Sequence, residues 1–171
     1  FNDPVIQQFI QNNDGNSVPL MAFSEDIDLK VAAPVFDEFT IIEAESGTIE
    51  ATITNNYFID IQDFTIIIRD EISGTDLGEL TFPYIAKGTS ETESVQIMNA
   101  QIHNEISVII PKISSPGSAN AVTIDLDSET EISLALKDFV ITGGEVRLDG
   151  TEIITDSTKV DFDAPNNAEL T

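Results

Sequence analysis

The chain predicts an all-β fold, an antiparallel β-sandwich preceded by a short N-terminal helix. Apolar and polar residues alternate with period two along most of its length, the pattern of strands with one wet face. Turn-forming residues recur at short intervals. Helical spacing is confined to one stretch near the start, whereas βαβ units would need a long helix between successive parallel strands.

That stretch is FNDPVIQQFIQNNDG. Asp3 is placed to cap a helix, Pro4 suits the first helical position, and Asp14-Gly15 ends the pattern. Val5, Ile6, Phe9 and Ile10 would share one face. Such a helix either packs on the domain's edge or is a linker or partner-docking helix of a larger chain. After Gly15 the period changes. IDLKV (27–31), EFTIIEA (38–44) and GTIEATIT (47–54) read as strands, with Ile49, Ala51 and Ile53 turned one way and Thr48, Glu50, Thr52 and Thr54 the other. DFTIIIRD places Phe64, Ile66 and Ile68 inward, and LGELTFPYI places Leu80 and Phe82 inward. EISVIIP, AVTIDLD, EISLALKDFVI and GEVRLDGTEIIT continue the series to roughly ten strands. Gly143-Gly144 reads as a tight turn, and Asp149-Gly150 as a type I′ hairpin. An acidic residue followed by phenylalanine recurs at Glu38-Phe39, Asp63-Phe64 and Asp138-Phe139, read as strand openings with an aromatic core plug. The breakers in PKISSPGSAN predict a long loop over 111–121. The domain plan is therefore helix and linker over 1–24, a sandwich over 25–165, and a tail over 166–171.

A length of 171 residues suits one such domain. A hydrophobic content of 41% supplies a core. The 31 acidic and 7 basic residues leave a net charge of -24, which repels nucleic acid and anionic lipid heads. Cysteine is absent, which removes disulfides and thiolate chemistry. No apolar run approaches the roughly 20 residues of a membrane helix, so direct membrane insertion is not expected. The chain begins with Phe1 and carries no Asn-x-Ser/Thr acceptor. It reads as processed, or as part of something longer.

The run TIEATITNNYFIDIQDFTIIIRD, followed by LTFPYIAKGTSETESVQI, resembles the immunoglobulin-like modules of bacterial cell-surface proteins. There a strand ends in TNN or TNP and an I-x-x-G-x-S element precedes the next. Late-embryogenesis-abundant proteins of the water-stress type share the pattern, with Asn-Pro where this chain has Asn55-Asn56. The match runs from Phe39 to Ile97 and implies an antiparallel immunoglobulin-like β-sandwich with a cell-envelope or extracellular habit. It implies no reaction. Physically, Asn55 and Asn56 tolerate left-handed angles and hydrogen-bond locally, so they end a strand cheaply.

Three acidic clusters stand out: SEDID (24–28), DLDSETE (125–131) and TDSTKVDFD (155–163). Calcium takes six to eight hard oxygens, so Asp125, Asp127, Glu129, Asp161 and Asp163 are candidate metal ligands. An EF-hand is excluded, because Thr130 replaces the glycine and Leu136 the bidentate acid. His103, the sole histidine, cannot build a multi-histidine zinc site. No G-x-S-x-G elbow accompanies it. Without tryptophan, and with only Tyr57 and Tyr84 as tyrosines, aromatic sugar platforms are scarce. No catalytic or organic cofactor-binding residue is assigned.

The leading expectation is a non-enzymatic structural or protein-interaction module of a bacterial cell-envelope or secreted protein. It would contact a protein partner or itself, by strand addition at an exposed edge. Two alternatives are a calcium-dependent adhesion or ligand-binding domain, and a carrier of apolar ligands such as lipid, held in a cavity between the sheets.

Overall fold

The structure is a computed structural model that describes residues 4–33, 39–146, 158–163 and 168–170. Helix α1 (Pro4–Asn12) leads into β1 (Ser17–Val18) and β2 (Phe23–Ala32). Then come β3 (Phe39–Asn55), β4 (Ile61–Asp70), β5 (Thr75–Ile85), β6 (Ser90–His103) and β7 (Ile106–Ser115). The series ends with β8 (Val122–Thr123), β9 (Thr130–Val146), β10 (Thr158–Asp163) and β11 (Ala168–Leu170). One sheet has the order β10-β9-β3-β6, with β11 also paired to β9; the other has β2-β7-β4-β5. A small third sheet joins β1 to β8. All strand pairs are antiparallel.

One core lies between the two large sheets. Ile49, Ala51 and Ile53 of β3 and Ile66 and Ile68 of β4 are fully buried, as the alternation predicts. Phe39, Phe64, Phe82 and Phe139 fill the space between them. Each such side chain removed from water stabilises the fold by roughly 1.5–3 kcal/mol. The fold is thus an antiparallel β-sandwich with a short N-terminal helix. Its strand order places β2 and β3 in different sheets.

Several strands run through residues that read as breakers. EFTIIEA and GTIEATIT fuse into the 17-residue β3. Pro111 lies inside β7, a central strand, where a missing N–H ordinarily breaks the ladder. Here both neighbours are irregular at that point. The pairing with β2 shifts between Asp26 and Leu29, around Asp28, and the pairing with β4 shifts between Thr65 and Ile67. The expected loop over 111–121 accordingly shrinks, because β7 continues to Ser115.

Gly143-Gly144 likewise makes no turn. Both glycines pair with β3 inside β9, opposite Glu43 and Ile42. Gly144 has φ 135°, and a Cβ there would meet the Ile41 carbonyl oxygen at 2.3 Å, so a strand continues through a kink that only glycine fits.

Phe39 does open β3, but at its second and third occurrences the acid-phenylalanine element is a bulge rather than a strand opening. Asp63 (φ 49°) and Asp138 (φ 56°) adopt left-handed angles, and both lie within strands whose register shifts there. Aspartate and asparagine tolerate that conformation better than other side chains. A bulge re-aims the next residue. After Asp138, Phe139 lies directly over Gly47 of β3, where an added Cβ would approach the ring to 2.6 Å. Glu38 and the Asp149-Gly150 hairpin lie outside the described residues, as does the capping Asp3.

Candidate functional site

At one end of the sandwich the helix covers a second, smaller core of Ile10, Phe58, Ile59 and Ile124. Local hydrogen bonds fix its position. Asn13 Nδ2 donates to the Phe9 carbonyl at 2.7 Å and finishes α1. Gly15 then turns through φ 72° and its N–H reaches the Ile124 carbonyl. Ile124 N–H in turn donates to the Asn16 carbonyl at 3.0 Å. The helix is thereby tied to the strand pair β1-β8.

Asn55 explains the TNN motif. Its side chain is fully buried. The amide nitrogen donates to the carbonyls of Ile59 (2.9 Å) and Ile85 (3.1 Å), and the amide oxygen accepts from Tyr57 N–H at 3.0 Å. Its backbone N–H reaches Thr89, and Gly88 N–H donates to its carbonyl. One residue joins three segments and presents Phe58 and Ile59 to the helix.

An apolar groove of about 410 Å³ opens between these parts. Val5, Ile6, Phe9 and Ile10 form one wall, the segment 19–23 forms the other, and Phe58 and Ile59 form the floor. The four apolar residues of α1 do not all reach the core. Ile10 is buried and Ile6 half-buried, while Val5 and Phe9 are 73% and 42% exposed. Met21 on the facing wall is 88% exposed. The helix therefore spends half of its apolar face on folding and leaves the rest in the groove.

On the other side of α1 lies a depression of about 240 Å³, lined by Gln7, Gln11, Tyr57, Asp125 and Leu126, with Ile10 and Phe58 beneath. Burial pushes the Tyr57 phenol above its ordinary value. Asp125 caps its own turn here, its Oδ1 accepting from Asp127 N–H at 3.1 Å. Asp127 is exposed and Glu129 half-buried. Asp161 and Asp163 lie in β10, with Asp163 opposite Ala135 of β9; their side chains are outside the described residues. Among the described residues no group of three or more histidine, aspartate or glutamate side chains is placed to hold a metal ion.

His103 ends β6 at the far end of the sandwich and serves as a structural clasp. Its ring Nδ1 lies 2.8 Å from Asp70 Oδ2, which also accepts its backbone N–H at 3.0 Å. Asp70 Oδ1 accepts the N–H groups of Ile72 and Ser73. The clasp ties the β4–β5 turn to the opposite sheet. Burial pushes the Asp70 carboxyl up, but the N–H groups of Ser73 and His103 and the His103 ring pull it further down, below the ordinary aspartate value.

Three edge strands of the two large sheets carry a feature that disfavours strand addition. Edge strand β5 contains Pro83, β6 carries the exposed Glu91 and Glu93, and β2 is bulged at Asp28 and carries Lys30. No helix among the described residues is long and apolar enough to cross a membrane.

No family model matches the chain, and no curated protein matches it. Among solved structures, a carbohydrate-binding module (CBM6cm-2) from Cellvibrio mixtus lichenase 5A, in complex with cellotriose, is similar at 10% identity. The match covers 61% of this chain and 88% of that one, with a TM-score of 0.34. At that score the similarity carries no argument about ligand or activity.

Two outcomes are expected. Asn55→Ala strands the buried Ile59 and Ile85 carbonyls and the Tyr57 N–H, lowering stability by about 3 kcal/mol in urea titration. Because the folded Asp70 value is depressed, its contribution is complete above the unfolded value and is lost as pH falls through the folded one. Asp70→Asn should therefore lower stability at neutral pH and flatten the decline below about pH 4, measured as urea midpoints against pH.

Proposed function

We propose that this chain is a non-enzymatic interaction module of a bacterial cell-envelope or secreted protein, built as an immunoglobulin-like sandwich. It works by receiving an apolar group of a partner in the groove beside α1. The observation that carries this reading is the half-spent helix face: Val5 and Phe9 are exposed in the groove across from the still more exposed Met21. Exposed apolar surface of this kind marks interaction sites. The blunted strand edges support the same choice, since they leave the groove as the more receptive surface.

A carrier of small apolar ligands would use this groove too, because the described inner faces of the sheets are filled with side chains. The calcium reading draws on the depression beside Asp125, with Asp127, Glu129, Asp161 and Asp163 as the further candidate ligands. A melting scan decides it: a calcium-specific rise over a magnesium control at matched ionic strength supports the site, and equal rises dispose of it.

For the groove, the neutral dye Nile red should bind saturably, one per chain. Phe9→Asp and Met21→Asp, both at exposed positions, should weaken it by roughly tenfold or more, since each sets a charge in apolar surroundings. Binding unchanged in both variants would overturn the reading. So would turnover of a substrate that a single acidic substitution abolishes.

A further inference from the structure

The segments that build the helical end share a charge pattern. The stretches 4–26, 55–60 and 113–130 contain no lysine or arginine. They do contain Asp14, Asp60, Asp125, Asp127 and Glu129. Asp14 accepts from Leu126 N–H at 3.3 Å, and Asp60 follows the groove's floor residue Ile59 directly. Several of the chain's few cations are engaged elsewhere. Lys30 pairs with Glu71, Arg69 with Asp76 at 2.6 Å, and Lys137 with Glu50. The groove is thus an apolar strip at an end where acids outnumber cations: among the described residues Lys87, whose backbone N–H donates to Asp60 Oδ1 at 2.8 Å, stands against Asp14, Asp60, Asp125, Asp127 and Glu129.

From this we infer that the occupant is a segment of a protein partner presenting an apolar anchor bordered by lysine or arginine side chains. The inference rests on reading the groove as an interaction site and adds the chemistry of what enters it. The anchor supplies affinity by leaving water against Phe9, Met21 and Phe58. The flanking cations supply encounter rate and selectivity, because the field concentrates positive ligands and repels acidic ones. Exposed Met21 adapts to the shape of the anchor, as an unbranched thioether side chain can. A carboxylate-headed amphiphile meets the opposite situation: its tail suits the groove and its head is repelled. A second copy of this chain is disfavoured in the same way, since it would bring the same net negative charge against its twin.

The test uses the full chain and three fluorescently labelled peptides with one leucine-phenylalanine core, flanked by lysine, serine or glutamate. Anisotropy titration at low salt should show the lysine peptide binding roughly tenfold or more tighter than the serine peptide, with the glutamate peptide not binding. The gap between lysine and serine should narrow at high salt as the field is screened. Phe9→Asp should abolish the binding of the serine peptide. Equal affinities at low salt would overturn the inference. Tighter binding of a neutral single-chain lipid than of any peptide would overturn it in favour of a carrier. A dimer in sedimentation equilibrium that Met21→Asp dissolves would overturn it in favour of self-association. If every peptide fails while Nile red binding still depends on Phe9, the inference falls and the groove reading stands. If Nile red is insensitive to Phe9 and Met21, the reading itself falls.

Discussion

Closing two sheets over a shared layer of isoleucine and phenylalanine is the constraint on which the rest of the molecule depends. Strands of up to 17 residues must twist, and a twisted strand soon carries its inner residues away from the layer. The bulges solve this. Asp28, Asp63 and Asp138 each take a left-handed angle where the register shifts, and each resets the course of its strand. Phe139 over Gly47 shows the result: a large ring from one strand occupies the space a side chain would have taken on the next. The core is closed by paired concessions of this kind, a small residue beneath a large one and an extra residue opposite a missing donor.

Much of the sandwich was legible because alternation reports burial directly. Ile49, Ala51, Ile53, Phe64, Ile66, Ile68, Leu80 and Phe82 all face inward as read. What misled was local chemistry overridden by neighbours. Pro111 reads as a breaker, and it would be one in a regular ladder; it is tolerated because the pairing is already interrupted on both sides. Gly143 and Gly144 read as a turn because nothing local says that β3 runs beside them. The shape of the groove was not legible, since its walls come from residues 5–10, 19–23 and 58–59. Its one trace in the sequence is a nine-residue helix with four apolar side chains, more than a helix at the domain's edge needs.

The acidic residues divide by position rather than by type. Asp70 is sealed from water and works as a hydrogen-bond acceptor for four donors, so its charge is satisfied locally. Asn55 plays a comparable part at the opposite end without a charge. Most of the remaining carboxylates face solvent. Their effect is collective, a negative field that follows from the net charge of -24. The candidate metal ligands Asp125 and Asp127 belong to that field. In this arrangement Asp125 shapes its own turn.

Helix α1 is held down by one buried side chain, Ile10, by the half-buried Ile6, and by backbone bonds that tie its C-terminal end to the short β1-β8 pairing, among other contacts. Such an element detaches at a fraction of the cost of opening the sandwich. Detachment removes one wall of the groove while the other remains. Anything that touches both walls must therefore also hold the helix in place, and its apparent affinity is scaled by the fraction of molecules in which the helix is seated. Occupancy and amide-exchange protection of α1 are in this way two readings of one equilibrium.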